Sequence, residues 1–251
     1  MCTVVILRRP KDAWPVIIGA NRDEMLNRPW KPPARHWPDR VEVIAGLDEL
    51  AGGTWMGLND AGVTACILNR HGSLGPAPGK RSRGELVLEA IDHSEANDAA
   101  GALADLDPAA YRPFNMVIAD NHDAWWLAMT GPGKPIRLER IPEGLSMFTA
   151  FDRNDTSDAR IATHLPRFQA AAAPDPQANA WESWRNLLGS TDASGEARAM
   201  SFRMASGFGT SSSSLLALPS AEMVFSGKKQ AIWLFAAGPP DSTAFAPVAR
   251  G

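Results

Sequence analysis

Two apolar runs near the amino terminus decide the fold: residues 2–9, CTVVILRR, and residues 14–22, WPVIIGANR. Both are rich in β-branched residues, and the short loop PKDA joins them, so the spacing predicts a hairpin whose first strand begins at Cys2. Working outward, GTWMGLNDAGVTACILNR repeats the pattern, with two strand-like runs flanking the turn Asn59-Asp60-Ala61-Gly62. FNMVIAD and AWWLAMT form a further expected hairpin around Asn121-His122-Asp123. Helices are expected in the middle. Ser82-Arg83-Gly84-Glu85 has capping-box spacing before LVLEAI, and Ser94 stands where it would cap a second helix. TSDARIATHLPRFQAAAA and AWESWRNLL read as helices, with Pro166 a kink or break in the first. SSSLLAL, EMVFSG and AIWLF return to strand character. Runs of strands separated by runs of helices point to an α+β layered fold with much antiparallel sheet. No repeat or linker divides the chain, so one domain over residues 1–251 is expected.

Composition excludes several functions. With 45% hydrophobic and 21% charged residues, the 251-residue chain can bury a sizeable core. A net charge of -3 offers no general attraction to nucleic acid or anionic membranes. The first apolar run is cut by Arg8 and Arg9, which argues against a signal peptide, and nothing reaches membrane-spanning length. Two distant cysteines without an export signal imply a reducing, cytoplasmic setting in which Cys2 and Cys66 are free thiols. There is no P-loop, paired CxxC, HExxH or dinucleotide fingerprint, and the five histidines lack metal-ligand spacing. No metal is expected and no cofactor is required. GFGTSSSSLL resembles an anion loop in composition but reads equally as a turn entering a strand.

Cys2 stands where removal of Met1 would make it the first residue. Its own α-amine, with an ordinary pKa of about 7.7–8.0, could then take the proton of a thiol with an ordinary pKa of about 8.5. One residue would carry nucleophile and base. Asn21, Arg22, Asp23 and Glu24 follow one another at the mouth of the second strand, beside Cys2 across the hairpin. Such a cluster is costly to bury unless its members pair with each other or with a ligand. Asp23 is suited to orienting a terminal ammonium.

MCTVVILRRP, IIGANRDE followed by RP, AGLDELAGGTWMGLNDAGVTACILNR, RSRGELV, FNMVIAD and GFGTSSSSLL together resemble, in this order, the NRDE family, the transport and Golgi organisation 2 group. The resemblance runs to about Leu216. It implies the N-terminal nucleophile hydrolase superfamily, and hence a four-layer αββα sandwich with Cys2 opening a central strand. In the cysteine amidases of that superfamily Cys2 matches the nucleophile, Asp23 the holder of the terminal amine and Asn69 an oxyanion donor. Where those enzymes place an arginine this chain has Ala20, so Arg22, two residues along the same strand face, is the substitute. A second oxyanion asparagine falls at Ala150, with Asn154 nearby. Asn21, Glu24 and Arg203 are the candidate substrate contacts. Two functions are implied: a cysteine amidohydrolase acting on a small-molecule amide, or a noncatalytic carrier of a hydrophobic or tetrapyrrole ligand such as haem. Cys2, His71 or another histidine would serve the carrier as axial ligand.

Overall fold

The computed structural model describes residues 2–191, 195, 198–227 and 229–250. In chain order the strands are β1 (Thr3–Arg8), β2 (Val16–Met25), β3 (Trp30–Ala34), β4 (Val43–Asp48), β5 (Met56–Asn59), β6 (Thr64–Asn69), β7 (Phe114–Ala119), β8 (Ala124–Met129), β9 (Arg137–Arg140), β10 (Gly144–Phe148), β11 (Phe208–Leu218), β12 (Ile232–Ala236) and β13 (Ala246–Pro247). The helices are α1 (Gly84–Ile91), α2 (Ala96–Ala104), α3 (Ala159–Ala170), α4 (Glu182–Leu188) and α5 (Ala221–Phe225). Contacts divide the chain into two compact units, Met1–Arg28 with Glu143–Val248, and Pro29–Pro142 with Ala249–Gly251.

The first unit holds a six-stranded antiparallel sheet in the order β10-β1-β2-β11-β12-β13. The opening hairpin forms as expected, closed by an Arg9 N–H to Pro15 carbonyl bond of 2.7 Å, although the first strand begins at Thr3. Strand alternation sends Val5, Ile17, Met147, Leu215 and Leu234 to one face, where they meet Ile161, Leu165 and Phe168 of α3 and Trp184 and Leu188 of α4. Spacings of four and three along α3 keep its apolar residues on one stripe. Gly19 lies on this face because an added Cβ would sit 3.0 Å from the Trp184 ring. Of the kink or break expected at Pro166, the break does not occur: α3 runs on through it. Its start is fixed by Asp158, whose carboxylate accepts from the Arg160 and Ile161 N–H groups.

The second unit is a seven-stranded antiparallel sheet whose strands β3 to β9 lie in chain order. α1 packs on β4 to β6 and α2 on β7 to β9, and Leu86, Val87, Ile91, Phe114, Met116 and Leu127 belong to the core between them. The expected caps form only in part. Ser82 Oγ accepts from the Gly84 N–H at 3.3 Å, but Glu85 pairs with Arg81 and accepts from Tyr111 instead of closing the capping box. The first N–H of α2 is satisfied by Asp120 from the β7–β8 turn, at 2.8 Å, rather than by Ser94. In the first unit, EMVFSG is helical rather than extended. Ser220 caps α5 through the Met223 N–H, and Phe225 is exposed, so its apolar residues serve no strand.

Gly53 and Gly84 bring two backbones together in the second unit. The Thr54 N–H donates to the Gly84 carbonyl at 3.0 Å, and a Cβ on Gly53 would lie 2.6 Å from the Gly84 carbonyl carbon. Neither main chain can give way without breaking that bond. Gly53→Ala is therefore expected to destabilise by about 2–3 kcal/mol. Urea unfolding checks this as a lowered midpoint with an unchanged slope.

Candidate active site

The amino-terminal end of β1 and the carboxyl-terminal half of β2 carry most of the residues singled out by the sequence. β1 stops pairing at Thr3↔Asn21, and beyond that point sulfur replaces main chain. The Asp23 N–H donates to Cys2 Sγ at 3.4 Å, and the thiol donates to the Asp23 carbonyl at 3.5 Å. Cys2 is half-buried. Burial pushes its thiol pKa up, and the Asp23 carboxylate adds to the rise, while the Asp23 N–H bond and the Arg22 charge oppose it. The resting sulfur is thus a thiol. Met1, whose removal would free the α-amine of Cys2, lies outside the described residues.

The Asp23 carboxylate points to the helix-covered face. One oxygen accepts from Arg160 Nη1 at 2.8 Å and the other from Thr210 Oγ1 at 2.8 Å. Arg160 Nη1 also donates to Thr3 Oγ1 at 2.9 Å, so one guanidinium ties β1, β2 and α3 together. Its plane lies over the Phe202 ring, 5.3 Å from the centroid. Both charged side chains are buried, with 3% and 0% exposure. Arg160 was not singled out by the sequence reading. A signal was present: a cation in the first turn of a helix opposes the helix dipole, so an arginine there calls for a partner elsewhere.

Asn21 is committed internally. Its Nδ2 donates to the Leu188 and Met200 carbonyls at 2.9 and 2.8 Å, and its Oδ1 accepts from Ser213. It pins the end of α4 to β2. Arg22 projects to the opposite face and donates to Ser211 Oγ at 3.0 Å. Glu24 lies 4.0 Å from Arg22 and 3.9 Å from Arg28, and is shared between them. Arg203 is exposed, on a backbone bridge to Gly209. Ala150 is buried, and Asn154, with φ of 57°, folds its carboxamide oxygen back to the Met147 N–H, closing the loop after β10. Asn69 is half-buried at the end of β6, in the second unit, opposite Phe114.

GFGTSSSSLL is strand rather than phosphate loop: all of it but Gly207 lies in β11, paired along β2. Gly209 is required there, because a Cβ would lie 2.6 Å from the Phe202 carbonyl oxygen. Tryptophans in AWWLAM and AIWLF serve the core, with Trp126 and Trp233 buried. Both cysteines are free. Among the described residues no group of three or more His, Cys, Asp or Glu side chains could hold a metal ion, and no helix is long and apolar enough to cross a membrane.

Two sheets bearing helices, with a cysteine at the head of a strand in one of them, define an α+β fold of the N-terminal nucleophile hydrolase type. Solved structures share it: the N-acylethanolamine-hydrolyzing acid amidase ortholog of Caenorhabditis elegans has a TM-score of 0.60 at 12% identity, covering 92% of this chain and 98% of its own. A mutant conjugated bile acid hydrolase from Clostridium perfringens has a TM-score of 0.53 at 10% identity, covering 99% and 97%. The penicillin V acylase of Agrobacterium tumefaciens gives 0.53 at 13%, covering 94% and 83%. The chain belongs to the Transport and Golgi organisation 2 family, whose model matches residues 1–152. The mouse homolog is 35% identical over 115 residues, and the human homolog 33% identical over 115 residues. Each match spans 44% of this chain and 40% of the relative's length.

Proposed function

We propose that the chain is a cysteine amidohydrolase that cleaves a non-peptide amide with Cys2 as nucleophile. The observation that carries this reading is the placement of Cys2 Sγ against the Asp23 main chain, at the open end of a strand beside Arg22. In the mature chain the α-amine of Cys2 accepts the thiol proton as sulfur bonds to the substrate carbonyl carbon. Backbone N–H groups are the assigned donors to the oxyanion. The amine returns the proton to the leaving nitrogen as the C–N bond breaks, and water then hydrolyses the thioester and restores the thiol. A carboxylate offers about four acceptor sites. Asp23 can therefore hold the ammonium in addition to Arg160 and Thr210. The raised thiol pKa fits this assignment, since attack then depends on the amine that Met1 removal supplies.

The test is intact mass of the purified protein before and after iodoacetamide at neutral pH, with Cys2→Ala in parallel, followed by a screen of small amides. The expected result is loss of Met1, labelling at Cys2 well ahead of Cys66, and amide turnover absent from Cys2→Ala. Retained Met1 or an inert Cys2 removes the hydrolase reading. A titration with haem then examines the carrier reading.

A further inference from the structure

β11 does not pair evenly with β2. Thr210 lies opposite Asp23 and Ser212 opposite Arg22, leaving Ser211 as an extra residue. Such a bulge turns two consecutive side chains towards one partner. Thr210 can then meet Asp23 on the helix side while Ser211 and Ser212 both attend Arg22 on the other. Ser211 is occupied, accepting from Arg22 Nη1 and donating to the Arg22 carbonyl at 3.1 Å. Ser212 is 1% exposed, and its hydroxyl has no hydrogen-bond partner among the described residues. An unpaired buried hydroxyl costs roughly 1–3 kcal/mol, and folded proteins seldom keep one without use.

Position and charge indicate the use. One step beyond Thr3↔Asn21 the register sets Cys2 beside Arg22, so Cys2, Arg22 and Ser212 follow one another across three strands. At about 4.8 Å per strand the row spans about 10 Å. Asp23 and Arg160 pair at 2.8 Å on the helix side, and the Arg22 guanidinium lies on the other, 4.0 Å from Glu24. We infer that Arg22 and Ser212 form an anion-accepting subsite beside the Cys2 thiol, which receives a carboxylate, sulfonate or phosphate group carried by the molecule that Cys2 attacks. This rests on the reading of Cys2 as a reachable nucleophile.

Paired thiol reagents test it without a known substrate. The 2-sulfonatoethyl and 2-(trimethylammonio)ethyl methanethiosulfonates both yield a mixed disulfide, as the thiolate attacks the sulfenyl sulfur and methanesulfinate leaves with the bonding pair. Rates at Cys2, located by peptide mass, are compared in native and denatured protein. The native fold is expected to favour the anionic reagent, and Ser212→Ala to lower that preference about 10-fold, the loss of one hydrogen bond to a charged group. Ser212→Ala is expected to leave thermal stability unchanged or raised. The same change at Ser146, another buried hydroxyl on this sheet with no hydrogen-bond partner among the described residues, is expected to leave the preference intact. If both reagents label Cys2 and Ser212→Ala keeps the native preference, the subsite is refuted and the nucleophile stands. If neither labels native Cys2, both are refuted.

Discussion

Arg160→Met is expected to destabilise the protein by about 3–5 kcal/mol, because it removes the buried guanidinium paired with the Asp23 carboxylate. Methionine roughly keeps the length and the apolar contact with Phe202, so the loss reports charge rather than volume. The pair is enclosed on both sides, and the guanidinium that closes it at 2.8 Å also holds Thr3. Thr210 alone remains of the bonds described for the carboxylate. For a chain of this length each kcal/mol shifts the melting temperature by about 2–4 °C, giving a fall on the order of 10 °C. Adding Asp23→Asn removes the carboxylate charge, so the double variant should be more stable than Arg160→Met alone. A fall under about 1 kcal/mol, or strictly additive effects, would show that the pair does not anchor β1 to β2.

Stability should also decline steeply in alkali, with Cys66 a principal cause. This thiol is 2% exposed on β6, and burial pushes its pKa from 9.0 to about 12. Below pH 9 both folded and unfolded chains hold the proton, and stability is independent of this group. Between pH 9 and 12 only the folded chain holds it. Unfolding then releases one proton, and stability falls by about 1.4 kcal/mol per pH unit, about 4 kcal/mol in all. Tyr111, raised by burial and then by its bond to Glu85, adds a further decline above its ordinary range. Denaturant midpoints at pH 8 to 11 for wild type and Cys66→Ala separate the two. The variant should start less stable, having lost a buried sulfur, yet descend less steeply by about one proton. Equal slopes would rule Cys66 out as the titrating group.

Features of this fold encoded by near neighbours were legible in the sequence. The hairpins follow from β-branched runs and Asn/Asp/Gly turns, and α3 from the pattern of one local segment. What depended on distant partners was not. Asp120, 24 residues away, displaced Ser94 as the cap of α2, and Arg81 and Tyr111 drew Glu85 away from a capping box. In the site, Asn21 to Glu24 attracted notice because four polar residues end an apolar strand. Their partners Arg160, Thr210 and Ser211, and Ser212 opposite Arg22 in the sheet, come from segments whose local pattern records only a helix and a strand. The bulge at Ser211, which decides what each serine meets, has no local signature in a run of four serines.

The unit that carries Cys2 is built from the first 28 residues and a segment beginning at Glu143. During synthesis β1 and β2 can close their hairpin at once, while β10 and β11 on its flanks and α3 over it have yet to be made. Asp23 and Thr210 are 187 residues apart. At about 5–20 residues per second that interval lasts about 10–40 s. Throughout it the first residues stand clear of the helix layer and neighbouring strands that later enclose them. The order of translation therefore leaves Cys2 and β1 without most of their sheet and helix layer until the second half of the chain has been made.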